Sequence, residues 1–242
     1  MALACTGEPA KQAAPTVDRP ATDVQLSVDT AGRPLFPADA ALDSAAAVQR
    51  LAELQGLADS SRVESLAAPA LLRAGVLKLR LYPADIDGTI ARRRPQDFVH
   101  NEIAGGWLYN GADFDTLLAR YAGGPLADDA RYAKLFVLPG GECEGRMDCY
   151  IGLALGGPVD FLKSDPTSPF STVVVQTINR ELRRLLAEVP DLREATEMYD
   201  PVSVQASVAR YDSVARELPP PVRDAAFALL DSVWARLGRG GR

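Results

Sequence analysis

The residues best suited to chemistry are two aspartates, Asp85 and Asp87, in a stretch that reads YPADIDGTIARRRP over residues 82–95. One residue separates the two carboxylates, and Gly88 and Thr89 follow at once. Carboxylates at this spacing can face one phosphate where the backbone curls at a strand end, one attacking phosphorus and the other handling a proton. An Asp-Gly pair is also typical of an ordinary turn. The surrounding elements therefore decide between a catalytic loop and a turn.

The stretch Asp85-x-Asp87-Gly88-Thr89 resembles the first motif of haloacid-dehalogenase-type phosphatases. The resemblance is confined to this motif. It implies that Asp85 is the nucleophile, that Asp87 is the general acid and base, and that Mg²⁺ is held beside the phosphate. A Mg²⁺-dependent phosphatase is thus the alternative function for this chain, with Mg²⁺ as its cofactor.

The flanking sequence favours a turn. Residues 76–82 (VLKLRLY) alternate apolar and charged side chains, which predicts a half-exposed strand, whereas the motif strand of that family is buried and should be continuously apolar. Pro83 is also poorly suited to a central strand. The candidate for the family's partner threonine, Thr177, lies within an unbroken helical period, and no lysine follows Lys163. We therefore interpret the motif as the exit of an amphipathic strand.

The N-terminal residues predict an anchor and a tether. Within residues 1–22, a short apolar start and Cys5 precede a polar stretch that contains three prolines and lacks any hydrophobic period, as is typical of a flexible linker. Leu3-Ala4-Cys5 resembles the attachment motif of bacterial lipoproteins, although the leucine stands two residues before the cysteine instead of the usual three. The resemblance implies that Cys5 carries a lipid, and that the chain is held at the bacterial cell envelope, facing the periplasm or the exterior.

The other two cysteines, Cys143 and Cys149, predict a disulfide. Five residues separate them, including Gly145, and so close a pair can form a small loop if the Cβ atoms face each other. Because disulfides persist in oxidising compartments, the pair is a separate argument for export. The alternative is a cytoplasmic protein with reduced thiols.

Composition excludes several classes of function. The formal net charge is −6 and the pI about 4.9, so the positive field of a nucleic-acid-binding protein is missing. His100 is the single histidine, which excludes multi-histidine metal sites and makes histidine-based triads improbable. We expect His100 to be structural, within a helix over residues 95–104. We expect no cofactor outside the phosphatase alternative.

Two groups of side chains are candidate binding residues. Arg92, Arg93 and Arg94 offer guanidinium groups to an anion, or form a solvated charge cluster. Trp107 and Tyr109, in a glycine-flanked segment, offer rings to a sugar or a protein partner, or cover the core.

The pattern predicts an α+β fold in one globular domain, residues 23–242, in which several helices cover a small, mostly antiparallel sheet. Predicted strands cover 24–36 (a hairpin), 76–82, 132–138 and 150–155, with the cysteine loop joining the last two. Predicted helices cover 39–58, 62–73, 95–104 and 114–121, and a helical subregion, 168–238, contains helices at 170–189, 204–218 and 222–237.

A tether and a disulfide without a complete catalytic set favour one function. We expect an envelope-associated lipoprotein that is a non-enzymatic binding or scaffold subunit of a protein complex. Its partner is then another protein, and the lipid anchor is its only contact with the membrane.

Overall fold

A computed structural model describes residues 42–81, 89–101, 106–137, 143–189 and 191–238, and its fold is α+β. The helices are α1 (Ser44–Ser60), α2 (Glu64–Leu81), α3 (Thr89–Arg93), α4 (Ala112–Arg120), α5 (Ala127–Lys134), α6 (Met147–Ser164), α7 (Ser171–Glu188), α8 (Pro201–Ala215) and α9 (Pro220–Arg236); a 3-10 turn covers Pro95–Asp97, and strands β1 (Phe98–Asn101) and β2 (Gly106–Tyr109) form an antiparallel pair. No helix of the described residues is long and apolar enough to cross a membrane.

The first half of the described chain is built on a helical hairpin. The carboxylate of Asp43 accepts the N–H of Ala46 at 2.8 Å and starts α1, which packs along α2. Helix α2 then packs on α4, where Gly75 lies directly against the buried ring of Phe114. The two helices approach closely because Gly75 has no side chain.

Strands β1 and β2 place their aromatic side chains on one face. The register pairs Phe98 with Tyr109 and His100 with Trp107, and the ring centroids of these pairs lie 5.8 Å and 5.1 Å apart. Phe98 and Tyr109 are buried and belong to the same core as α1, α2 and α4. The pair of strands therefore covers one side of the helical hairpin.

The second half is a four-helix bundle, formed by α6 to α9. Asn179 in α7 donates to the carbonyl of Ala225 in α9, and further along the same helices Arg236 donates to the carbonyl of Leu186. Helices α7 and α9 therefore run parallel. The core of the bundle consists of fully buried side chains at helical spacing, among them Val174, Ile178, Leu182, Leu185, Val208, Tyr211 and Leu230.

Helix α5 joins the two halves. Its Tyr132 stacks on Phe170 at a centroid distance of 4.3 Å and an interplanar angle of 7°, and so belongs to the core of the bundle. Ala130 and Ala133 of the same helix belong to the core of the first half. One short helix thus contributes to both cores through different faces.

The α+β class and the helical C-terminal third are confirmed, but three predicted strands are wrong. Residues 76–81 form the last turns of α2. Residues 132–137 form the end of α5 and the turn that follows it, and residues 150–155 lie within α6. Short apolar runs suit a strand and a buried helix equally, and here each run continues a helical stripe such as Ile151, Leu155 and Val159. The cysteine loop therefore does not join two strands.

Other differences concern the boundaries around the motif. Helix α2 runs through Pro69 in its second turn instead of stopping near residue 73. The helix expected over 95–104 is a 3-10 turn followed by β1, so His100 lies in a strand. The strand that was predicted to lead into the motif is wrong, because residues 76–81 are helical. The motif aspartates, Cys5, the tether and the predicted hairpin at 24–36 lie outside the described residues.

We expect Gly75→Ala to destabilise the protein by about 1–3 kcal/mol, because an added Cβ would lie 2.4 Å from Cε1 of Phe114. The matched control is Gly56→Ala in α1, where a Cβ meets nothing within 4 Å. That change should be neutral or stabilising by up to about 1 kcal/mol, since alanine favours helix. Urea unfolding of both variants measures the difference, and equal effects would contradict the close packing.

Candidate functional site: a buried lysine between two aspartates

Lys78 lies at the centre of the described site. It is in the last turns of α2, and its side chain is fully buried. Its Nζ lies 2.5 Å from Oδ2 of Asp97 and 2.6 Å from Oδ2 of Asp113, and both carboxylates are almost completely buried. Asp97 ends the 3-10 turn and Asp113 lies in the first turn of α4. One ammonium therefore holds three separate segments together.

Tyr109 of β2 is the second partner of Asp113. Its hydroxyl donates to Oδ2 of Asp113 at 2.8 Å and accepts the Asp113 N–H at 2.9 Å. Gly111 makes this geometry possible, because its φ of 86° turns the chain from β2 into α4. Burial and the neighbouring charge of Asp113 raise the pKa of Tyr109 well above its usual range. Nζ of Lys78 also lies 5.4 Å from the Tyr109 ring centroid.

Further polar groups surround the two carboxylates. Nε2 of Gln55 donates to Oδ1 of Asp113 at 2.8 Å, while Oε1 of Gln55 is buried without a hydrogen-bond partner among the described residues. Nε of Arg94 donates to Oδ2 of Asp97 at 2.8 Å, and its other end reaches the exposed Asp59 at 2.9 Å. The buried part of the network contains one ammonium and two carboxylates, and Arg94 supplies the second positive charge.

This arrangement stabilises structure; it presents no reactive group to solvent. A charge taken from water costs several kcal/mol unless it is paired and hydrogen-bonded, and Lys78 meets both conditions. Because Nζ of Lys78 is buried and Oδ2 of each aspartate is bonded to it, a substrate in solvent cannot reach these atoms. Among the residues that the structure describes, no group of three or more His, Cys, Asp or Glu side chains is placed to hold a metal ion.

The predicted arginine cluster divides between two environments. Arg92 and Arg93 are exposed at the end of α3, whereas Arg94 is partly buried and bound to Asp97 and Asp59. The three guanidinium groups therefore do not share one environment, and Arg94 belongs to the lysine network.

The predicted aromatic pair also divides. Tyr109 is buried and covers the lysine network, whereas Trp107 is partly buried and lies edge-on to the exposed His100. Tyr109 thus adopts the core-covering role that was the alternative to ligand stacking.

Cys143 and Cys149 form a disulfide, with their Cα atoms 5.4 Å apart. Between them the chain makes a tight turn in which Glu144 and Gly145 have positive φ and the Arg146 N–H bonds to the Cys143 carbonyl at 2.6 Å. Such a turn has the geometry of type I′. The disulfide joins this turn to the first turn of α6.

Lys78, Asp97 and Asp113 were not predicted from the sequence to be site residues. The signal was present for Lys78: once residues 64–81 are recognised as one helix, Leu71, Ala74, Lys78 and Leu81 fall on one stripe. A lysine on an apolar stripe indicates a buried ion with partners elsewhere. No comparable signal identifies Asp97 or Asp113, because aspartates at helix starts are common and are mostly exposed.

Comparison with protein-family models, with curated proteins and with solved structures gives no match for this chain.

We expect Lys78→Met to destabilise the protein by about 3–5 kcal/mol, because it leaves two buried carboxylates without their cation. Lys134→Met is the matched control: Lys134 pairs with Asp115 on the surface, and both side chains are about half exposed. Its loss should cost at most about 1 kcal/mol. Urea unfolding measures both changes.

A second variant separates charge from packing. Adding Asp97→Asn and Asp113→Asn to Lys78→Met removes the uncompensated charges, so part of the lost stability should return. A triple variant less stable than Lys78→Met would contradict an electrostatic role for the network.

We expect the protein to lose stability in alkali because Tyr109 then loses its proton. The pKa of the Tyr109 hydroxyl is higher in the folded protein than in the unfolded chain, so this group contributes stability. The contribution is fully present below about pH 10, where free tyrosine keeps its proton, and it is lost as the pH rises towards the pKa of the folded protein. Tyr109→Phe should therefore flatten the decline in unfolding free energy between about pH 10 and pH 11 by up to about 1.4 kcal/mol per pH unit. Identical slopes for both proteins, measured by urea unfolding, would contradict it.

Proposed function

We propose that this chain is an exported, lipid-anchored protein of the bacterial cell envelope that binds or scaffolds a protein partner and catalyses no reaction. The observation that carries the proposal is the disulfide between Cys143 and Cys149. Disulfides of this kind form in oxidising compartments and are rare in the cytosol.

The disulfide also supports lipidation of Cys5. The chain contains three cysteines, and two of them are bonded to each other. The remaining one, Cys5, is the cysteine of the lipoprotein-like stretch Leu3-Ala4-Cys5. A third cysteine at this position in an exported protein suits a lipid anchor, and the proline-containing residues 6–22 suit a tether.

Two features favour binding over catalysis. The charged groups at the centre of the described structure, Lys78, Asp97 and Asp113, are buried and neutralise one another. In the phosphatase family the aspartate motif follows a strand, but the residues before it in this chain, 64–81, are helical. With a net charge of −6, a protein partner is favoured over nucleic acid.

The anchor is tested in the cells that produce the protein. A chromosomally tagged copy should incorporate an alkyne fatty acid and sediment with membranes, and Cys5→Ser should abolish both. The Cys143→Ser, Cys149→Ser double variant is the control and should still be labelled. A wild-type chain without label, or label that persists in Cys5→Ser, would overturn the anchor.

The compartment and the absence of catalysis are tested separately. Alkylation in intact cells should leave Cys143 and Cys149 unmodified until a reductant is added, and two free thiols would contradict export. Mg²⁺-dependent hydrolysis of p-nitrophenyl phosphate that is lost in Asp85→Ala would replace the binding function by the phosphatase alternative.

A further inference from the structure

Helix α6 is uncharged on all its sides over most of its length. Residues 149–159 (CYIGLALGGPV) contain no charged side chain. Ile151, Leu155 and Val159 are buried in the core of the bundle and form the inward-facing stripe of the helix. A surface helix normally carries charged or polar side chains on its other side, whereas a helix that is apolar all round is typically covered on every side. The sequence of α6 therefore predicts a cover for its outer side.

The structure leaves this outer side exposed. Tyr150 is 50% exposed and Leu153 is 37% exposed, and Gly157 is also exposed. These three residues follow one another at steps of three and four, so they form one stripe along the helix. A Cβ at the neighbouring Gly156 would meet nothing within 4 Å. Because the glycines leave the backbone bare, another helix can approach this stripe, the outer face of α6, closely.

The outer face is bordered by three arginines, namely Arg146, Arg184 and Arg210. Arg146 is the N-cap residue of α6 and lies at one end of the face. Arg210 of α8 forms an ion pair with Asp160, which lies at the other end, one turn after Gly157. Helix α6 packs along both α7 and α8, so arginines from these two helices can reach its borders.

Arg184 of α7 borders the face beside Tyr150. The pKa of Arg184 is raised, first by its hydrogen bond to Glu188 and the charge of that carboxylate, and to a smaller extent by the charges of Glu181 and Tyr150. The end of the Tyr150 side chain therefore lies near the Arg184 guanidinium, at the border between α6 and α7.

The three guanidinium groups retain donors for a further acceptor. Each side chain is about half exposed, and among the described residues each is bonded to one carboxylate, that of Asp148, Glu188 or Asp160. A guanidinium has five N–H donors, so one carboxylate does not satisfy it. An uncharged centre that contains a tyrosine and is bordered by arginines is typical of protein interfaces, where these two residues often dominate the binding energy.

We propose that the outer face of α6 binds an amphipathic helix of a partner protein, whose apolar stripe covers Tyr150 and Leu153 and whose flanking carboxylates bond to the three arginines. This inference rests on the proposed function and states the chemistry of the partner. The disulfide supports it, because Cys149 directly precedes Tyr150 and its bond to Cys143 fixes the first turn of α6. The face is therefore preorganised for binding.

Charge distinguishes this partner from other occupants. Two copies of the chain joined through the same face would bring their arginines towards each other, and like charges repel. A flat anionic membrane would meet the exposed carboxylates of Glu188 and Asp160 as well as the arginines. A helix can instead place a carboxylate opposite each guanidinium, which is the geometry that arginine binds best.

Photo-crosslinking of the full chain, in the cells that produce it, tests this face. A photoreactive phenylalanine analogue replaces Tyr150 in one variant and Leu66 in the control, because Leu66 is also 50% exposed but lies near the start of α2. We expect position 150 to form an adduct with a peptide of another protein that has apolar residues at helical spacing and flanking Asp or Glu, identified by mass spectrometry. Position 66 should not form this adduct.

Two further substitutions test the border and the centre of the face. Arg184→Glu should lower the adduct yield at position 150 about tenfold, as expected for the loss of one interfacial arginine. Leu153→Glu should lower it to a similar extent, because it places a charge in the apolar centre. Arg120→Glu, at an exposed position in α4, is the matched control and should leave the yield unchanged.

No adduct at position 150, or a yield that Arg184→Glu and Leu153→Glu leave unchanged, would overturn the proposal. An adduct with a second copy, with another part of the same chain or with lipid would also overturn it, since a different occupant then covers the face. An adduct at position 66 alone would overturn this face and leave the proposed binding function standing. Fatty-acid labelling of Cys5 is a separate measurement, so the two failures are distinguishable.

Discussion

The burial of one ammonium group determines the arrangement of the first half of the protein. Lys78 has no exposed surface, and an unpaired charge in that position would cost several kcal/mol. Asp97 and Asp113 must therefore reach it from two other segments. Tyr109 and Gln55 bond to Asp113, so β2 and α1 are held to the same point. Each of these elements is positioned by a contact with a single lysine and its carboxylates.

The two halves are stabilised by different means, although α5 contributes to both. The first half combines the ionic network with a close approach at Gly75, so its stability depends on particular contacts between elements. The bundle has a continuous apolar core and a disulfide at the start of α6. Apolar packing tolerates replacement by residues of similar volume, whereas a buried ion pair does not tolerate the loss of one partner. We therefore expect the first half to be the more sensitive to single substitutions.

This difference also explains how much of the structure could be predicted from the sequence. Helices α7, α8 and α9 follow from local spacing, as in the apolar steps between Phe170 and Val189, and the cysteine pair follows from its separation. The strands at 76–82, 132–138 and 150–155 were wrong because short apolar runs carry no information that separates a strand from a buried helix. The lysine site could not be predicted, since its partners, Asp97 and Asp113, lie 19 and 35 residues from Lys78.

The same lysine gives a physical reason for the sequence of the aspartate motif. Lys78 and Asp97 are in direct contact, so the chain between them leaves α2 and returns to its last turns. Such a closed segment needs at least one reversal of direction, and Asp87-Gly88 is a pair that suits a turn. The strand that precedes the motif in the phosphatase family has no counterpart in residues 64–81, which are helical. The ion pair thus closes a chain segment that contains the motif, and the interpretation of Asp87-Gly88 as a turn stays a prediction.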